Sequence, residues 1–487
     1  MDLNKKTILH IAGILFIITG FAMLLPLMVA LFYGEIDCIK AFSLVLIPSF
    51  ILGILITKTI RPSKKQLKLR DGYIIVSLSW LLLSAISAFP YVIQGCIPNF
   101  IDAFFETCSG YSTTGSSILT DVEALPKSMT FWRLFAHWIG GMGILVFAVA
   151  LLPALGISGQ TIVKAETPGP MLSKITPKMS DTARALYSIY LGFTLLETLL
   201  LMLGGLSLFD ALVHSFATVG TGGFSSYNSS IAAFDSAYVE WIIALFMILS
   251  GVNFNLYFLS LKGGIKSLIQ DAEFKLYLFI IAASTLLITL SLYFTNTFGS
   301  VLTAFRYATF QCASIITTTG FATNDFNLWP TFCTMILFCL FFVGGCSSST
   351  GGGIKAIRIL VLLKQIKRTI ALRLHPNAMV TIKIGNRRLP SDTVQGISSF
   401  FFLYLFTLFT VSILVSLDGY DVVTSFSATA SCLGNIGPGF NQVGPTMNFS
   451  IFSPPIKLLL SLTMIIGRLE LFTFFMLFSR KFWNPNH

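Results

Sequence analysis

The chain has 487 residues, of which 54% are hydrophobic, 14% aromatic and only 11% charged, with a mean hydropathy of +0.81. That is more apolar surface than a soluble domain can bury, which excludes a soluble enzyme and points to a multi-pass protein of the lipid bilayer. A net charge of +11 would raise nucleic acid as a partner for a soluble chain, but here the cations fall into one set of loops between apolar stretches, so no nucleic-acid partner is expected.

In chain order the apolar stretches are Ile8 to Tyr33, Ala41 to Thr57, Tyr73 to Ile93, Phe131 to Leu155, Leu186 to Leu203, Val239 to Leu261, Leu276 to Phe294, Phe332 to Leu363 (interrupted), Ile397 to Leu417 and Ile456 to Phe478. Ten such segments can each span a hydrocarbon core roughly 30 Å thick. The first is too long for the apolar region of a cleaved signal and lacks a small-residue cleavage site, so it reads as a retained helix.

Between the later stretches lie four fourteen-residue blocks that end in glycine: Asp102 to Gly115, Asp210 to Gly223, Tyr307 to Gly320 and Thr424 to Gly437. Their spacing is roughly a hundred residues, the mark of an internal repeat. Each unit reads as apolar helix, short half-helix with a glycine loop, apolar helix. The expected fold is therefore an all-α polytopic membrane protein with ten transmembrane helices, four re-entrant pore helices and four pseudo-symmetric repeats around a single pore. The expected boundaries are residues 1–70 for two extra helices and a basic loop, then 71–180, 181–272, 273–390 and 391–487 for repeats 1 to 4.

A cation crossing a membrane must exchange its water shell for oxygens, and four loops around one axis can supply rings of carbonyls. Glycine reaches the positive φ that such loops require without a Cβ penalty. The short segment before each loop would aim the negative end of a helix dipole at the ion. The candidate filter residues for a cation such as potassium or sodium are Thr113, Thr114 and Gly115; Gly222 and Gly223; Thr318, Thr319 and Gly320; and Asn435, Ile436 and Gly437.

Lys and Arg mark one face: Lys5, Lys6, Lys58 to Arg70, Lys164 to Arg184, Lys262 to Lys275, the dense run from Lys355 to Arg388, and Arg480 with Lys481. By the positive-inside rule that face is cytoplasmic and holds both termini. The opposite face carries acids including Asp102, Asp210, Asp325, Asp418 and Asp421. They would attract cations to an outer mouth, or equally well cap the short helices. No Cys-x-x-Cys spacing or catalytic constellation is present, and His10 and His137 read as buried hydrogen-bonding residues.

Several motifs resemble a known family. FWRLFAHWIGGMG (131–143), TGGF (221–224), GVNFNLY (251–257), TTTGFATND (317–325), GGCSSSTGGGIK (344–355), GNIGPGF (434–440) and GRLELF (467–472) are similar to the TrkH-type potassium-uptake membrane subunit of the Trk/Ktr/HKT superfamily. The resemblance covers essentially the whole chain. It implies a homodimer in the bacterial inner membrane, one pore per subunit, filter glycines at Gly115, Gly223, Gly320 and Gly437, and a cytosolic nucleotide-binding TrkA-type regulatory subunit. Glycine rather than serine at 115 implies preference for potassium, the transported ion; no organic cofactor is implied.

The eighth apolar stretch is broken by Gly344, Gly345, Cys346, Ser347, Ser348, Ser349, Thr350, Gly351, Gly352 and Gly353. So many glycines and serines do not continue a straight helix, and unwound backbone at membrane depth belongs beside a watery cavity or inside protein. A gate below the filter is the expectation. A nucleotide-binding loop fails on spacing, since Thr350 stands where its second glycine would be. Arg468, read as midway along the last helix, is a second gate candidate because a charge at that depth is costly without water or a partner. It would face the pore as a barrier, or pair with carbonyls of the glycine-rich loop. An ion-coupled symporter is the alternative function, with Glu197 and Glu240 as weak coupling candidates.

Overall fold

A computed structural model describes residues 3–62, 68–143, 179–385 and 387–483. Residues 144–155 of the fourth apolar stretch, and Lys64, Lys65, Lys164, Lys174 and Lys178, lie outside them.

The described residues are mostly helical. Helices α1 (Lys5–Tyr33) and α2 (Ile36–Thr59) form an antiparallel pair. Asn4 caps the start of α1, and Gly34, left-handed at φ 71°, ends it. The pair packs on repeat 1, where Phe42 meets the edge of Trp132. Repeat 1 consists of α3 (Leu69–Gln94), the short α4 (Phe100–Tyr111) and α5 (Lys127–Gly141). Repeat 2 has α6 (Met179–Leu203), the short α7 (Leu208–Val219), then α8 (Ala237–Ser250) and α9 (Phe254–Gly263). Repeat 3 has α10 (Ala272–Phe294), the short α11 (Val301–Ile316), α12 (Thr331–Leu340) and α13 (Ala356–Leu374). Repeat 4 has α14 (Ser391–Val415), the short α15 (Val422–Gly434) and α16 (Pro454–Arg468), followed by short turns.

Among the described residues, six helices are long and apolar enough to cross a membrane, or up to eight when each bent pair counts as one span. The other two of the ten expected spans are not found as such: α5 is described as helix only to Gly141, and α12 and α13 are divided by the glycine-rich loop. Two stretches expected as single helices are broken. The run from Val239 to Leu261 bends by 86° between α8 and α9, and the last run bends by 111° after Arg468. Hydropathy is blind to such bends because both sides remain apolar; the signals are Gly251 and Asn253 in one case and Gly467 in the other. A small departure from all-α is a two-stranded antiparallel ribbon pairing Lys383–Ile384 with Arg387–Arg388. Ile384 packs with Ile357, Val361, Val394 and Ile397, which folds the basic connection back onto α13 and α14.

Candidate functional site

The four short helices end in the same way. In each, the amide five residues beyond a buried carbonyl closes the helix: Thr114 to Ser109 (2.9 Å), Gly222 to Ala217 (2.8 Å), Thr319 to Ser314 (2.9 Å) and Ile436 to Ser431 (2.9 Å). The residue before each donor is left-handed: Thr113 at φ 55°, Thr221 at 54°, Thr318 at 56° and Asn435 at 54°. This is the Schellman closure usually built with glycine. Threonine is a rare occupant of that conformation, and its recurrence in three repeats marks a backbone shape held by its surroundings.

The glycine two positions on also has positive φ: Gly115 at 83°, Gly223 at 80°, Gly320 at 85° and Gly437 at 106°. A Cβ at Gly115 would lie under 3.0 Å from the Gly222 carbonyl oxygen; at Gly223, from that of Thr319; at Gly320, from that of Ile436; and at Gly437, from that of Thr114. Repeat 1 thus abuts repeat 2, 2 abuts 3, 3 abuts 4, and 4 abuts 1. The four loops close a ring, with the equivalent carbonyls at 222, 319, 436 and 114 against the glycine of the preceding repeat.

Side chains fix the ring from outside. Thr114 Oγ1 bonds Ser112 Oγ (2.7 Å) and accepts from Asn435 Nδ2 (2.9 Å), which also donates to the Met464 carbonyl. Thr319 Oγ1 bonds Thr317 Oγ1 (2.8 Å), and the Gly437 carbonyl accepts from Ser116 and Ser431 hydroxyls. All eleven residues expected in the filter therefore sit in these loops. Thr221, at φ 54°, holds the position of Thr113 in its own loop, and its place in the second fourteen-residue block is the signal in the sequence.

His10 and His137 are hydrogen-bonded as expected. The first meets the Ile60 carbonyl, and the second bridges the Gly110 carbonyl and the Phe224 amide. An unexpected brace lies beside His137. Buried Arg133 pairs with buried Glu106 of α4 at 2.6 Å, donates to the Ser225 carbonyl at 2.9 Å and stacks on Phe224. Glu106 also receives Ser117 Oγ and the Ile118 amide. Arg133 thus links Glu106 and the loop of repeat 1 to Phe224 and Ser225 in the loop of repeat 2. A lone arginine in the apolar run FWRLF was the signal available in the sequence.

Around the inner ends of the short helices, the second helix of every repeat comes to an end. Helix α5 ends at Gly141, α8 at Ser250, α12 at Leu340 and α16 at Arg468. The glycine-rich loop 344–353 knits these breaks together. Gly344 N–H donates to Ile354, Cys346 N–H to Gly251, and Thr350 Oγ1 to Ser250; the Ser348 carbonyl accepts from Phe254. Glu273 receives the Ser347 amide and hydroxyl and the Ile357 amide. Gly345 lies against Gly251 and Ser349, and Gly351 against the Thr317 carbonyl. Gly352 donates to Thr318 Oγ1 at 2.6 Å, so the loop touches the base of the ring itself. Left-handed Gly353 (φ 68°) then leads into α13.

Arg468 is not midway along a straight helix. It ends α16 and donates to the Thr350 carbonyl of the loop (2.8 Å) and to Gly140 and Gly141 at the end of α5 (2.6 and 2.8 Å). A cation at a helix carboxyl end is favourably placed, and the pairing with loop carbonyls weighed from sequence is present. Glu470 does not serve Arg468; it pairs with Arg358 of α13. Buried Lys355 bonds the Gly351 carbonyl.

On the opposite face the acids tie loops together. Asp102 pairs with Lys457 (2.8 Å), Asp418 holds Ser453, and Asp325 holds the Asn327 amide. Asp421 caps α15 through Thr424, whose hydroxyl holds its carboxyl below the usual carboxylate range. Helix capping and loop tethering account for these groups, rather than a free acidic funnel. Of the coupling candidates, Glu240 pairs with Arg306 at 3.0 Å, and Glu197 is fully buried on α6 with no ion-pair partner among the described residues.

A family model described as TrkH, cation transport protein, matches residues 39–485. The chain belongs to the TrkH family. It is 38% identical over 485 residues to the Trk system potassium uptake protein TrkH of Salmonella typhimurium, covering 99% of this chain and 100% of that one. It is 37% identical to the Trk system potassium uptake protein TrkG of Escherichia coli, covering 99% of each. The crystal structure of the potassium transporter TrkH from Vibrio parahaemolyticus superposes with a TM-score of 0.89 at 37% identity, covering 99% of this chain and all of that one. Membership in the TrkH family makes the chain a multi-pass membrane transport protein rather than an enzyme.

Proposed function

We propose that this TrkH-family chain takes up potassium across the bacterial inner membrane through a channel-like pore, with the closed ring of four loops as its selectivity filter. The observation that carries the reading is the cyclic contact of each positive-φ glycine with the next repeat's carbonyl. A ring of that kind replaces an ion's hydration shell with fixed oxygens and leaves no room for a Cβ. The relatives named as potassium uptake proteins supply the ion. Ten spans, both termini on the cytoplasmic face, four pore helices and assembly as a homodimer with a cytosolic TrkA-type subunit complete the proposal.

The glycine-rich loop and Arg468 form the gate in this reading, because both meet at the base of the ring. A unit charge about 4 Å from a passing ion is worth roughly 4 kcal/mol at an effective dielectric near 20. Opening then requires the loop to leave Thr318 and Arg468 to release Thr350.

The alternative, potassium uptake driven by proton or sodium flow, is favoured by one observation, the fully buried Glu197. Reversal potentials in reconstituted bilayers, with the three gradients varied separately, decide between them. The channel reading expects the potential to follow potassium alone, and Gly115→Ser or Gly320→Ser to raise sodium permeability relative to potassium. Potentials that follow the proton or sodium gradient in the unmodified protein would overturn passive conduction, and unchanged permeability ratios in both variants would remove the ring from selectivity.

A further inference from the structure

A cavity of about 310 Å³ lies among α1, α3, α5 and α6, with Tyr111 of α4 at its inner end. Its walls include Phe21 and Ala22 of α1, Leu83 of α3 and Ile139 of α5. Four lining side chains carry a polar atom, and each is already committed to the protein. Thr19 Oγ1 donates to the Leu15 carbonyl (2.8 Å), Tyr111 Oη bonds Ser87 Oγ (2.9 Å), Trp138 Nε1 donates to Thr194 Oγ1 (3.0 Å) and Tyr187 Oη donates to the Gly143 carbonyl (3.2 Å). Water in such a space would have few partners, and apolar cavities far smaller than this stay dry and accept hydrocarbon.

The mouth of the cavity opens on the membrane-facing side of α1. Phe21, at 60% exposure, belongs both to the cavity wall and to the outward apolar face that continues through Leu25 and Met28. In a membrane protein the medium against that face is lipid hydrocarbon, continuous with the cavity. We infer that the cavity is a binding site for one acyl chain of a membrane phospholipid, inserted from the bilayer between α1 and α5 until it reaches Tyr111. Tyr111 is the last residue of α4, two before the left-handed Thr113. The chain end therefore rests against the back of the repeat 1 loop, filling a space that the described residues leave empty.

The test uses the full chain in bilayers of a phosphatidylcholine with bromine on its acyl chains, since bromine quenches indole emission on contact. Trp138 lines the cavity, and its signal is the difference between the unmodified protein and Trp138→Phe. Brominated lipid is expected to quench that signal, and Ala22→Phe, which fills the cavity, to abolish at least half of the quenching. Ala22→Leu serves as the milder filler should the phenylalanine variant fold poorly. Quenching that survives both fillers would mean that Trp138 merely touches lipid at the surface, and would overturn the site. An unquenched signal, as expected if a protein segment fills the space, or a signal quenched by aqueous acrylamide instead, would overturn it equally.

Discussion

At the ring, four loops with different sequences adopt one backbone: Thr113, Thr221, Thr318 and Asn435 agree in φ to within two degrees. At the inner ends of the same short helices, the second helices are not alike: α5 ends at Gly141, two others bend by 86° and 111°, and another gives way to a ten-residue glycine-rich loop. The first layer is closed by backbone hydrogen bonds and glycine contacts, with its ion pair set behind it. The second holds Lys355, Arg358, Arg468, Glu273 and Glu470. Repeated geometry suits a task all four repeats perform identically, such as coordinating one ion on an axis; divergence suits a task that one repeat performs on behalf of the rest. The comparison thus separates a rigid, symmetric part from an asymmetric part that can be moved without disturbing it.

The ring should fail most sharply at Gly223, because a Cβ there combines positive φ with a collision against the Thr319 carbonyl. Gly223→Ala is expected to abolish potassium-selective uptake, measured as rubidium uptake by cells lacking other potassium uptake. Uptake close to that of the unmodified chain would show that the four contacts are not equally required. Next is the brace behind the ring. Arg133→Met alone leaves Glu106 buried without its cation and should destabilise the protein by about 3–5 kcal/mol, seen as a lowered midpoint in thermal unfolding. Glu106→Leu with Arg133→Met should recover much of that loss. Equal damage from the single and double variants would show that packing on Phe224, rather than charge, is what Arg133 supplies.

What could be read from the sequence divides along the same line. Glycines recurring in matched blocks exposed the four repeats and the filter candidates, because a positive-φ position leaves a residue-level trace. The cyclic order of the loops left none, since it depends on contacts between residues more than ninety positions apart. The bends at Gly251 and after Arg468 were hidden because apolar residues continue on both sides, and left-handed Leu471 (φ 56°) carries no compositional mark at all. Arg468 is legible in the sequence as a charge but not in its place, because an unbroken apolar run implies a straight helix beneath it. The roles of Arg133 and Glu273 leave no mark in the sequence because their partners come from other elements.

In the asymmetric layer, Arg468 combines a tether and a charge, and two substitutions separate them. Arg468→Ala removes both and should raise flux in the absence of any regulatory subunit while lowering stability by ~1–3 kcal/mol, since carbonyls of Thr350, Gly140 and Gly141 lose a charged donor. Arg468→Lys keeps the charge but cannot span three carbonyls on two elements. If the charge is the barrier, the lysine variant stays closed; if the tether holds the loop, it leaks like the alanine variant. Selectivity should be preserved in both, because the ring is untouched, and a changed potassium-to-sodium ratio would mean that the two layers are mechanically coupled.

The smallest effect is expected furthest from the ring, on the basic connection between repeats 3 and 4. Neutralising Lys367, Arg368 and Arg373 together would confuse two roles, because Arg368 Nε donates to the Val380 carbonyl at 2.9 Å and Lys364 Nζ to that of Lys383 at 2.6 Å. Those two side chains hold the ribbon against α13, whereas Lys367 and Arg373 are exposed. Lys367→Gln with Arg373→Gln therefore removes surface charge while the local fold stays intact. An exposed charge contributes at most about 1 kcal/mol to a contact, so co-purification with the proposed TrkA-type subunit should weaken a few-fold to roughly tenfold, more at low salt than at high. Membrane insertion and basal flux should not change. Binding that is unaffected at low ionic strength would leave these cations the single task of fixing orientation, and would place the docking surface elsewhere on the cytoplasmic face.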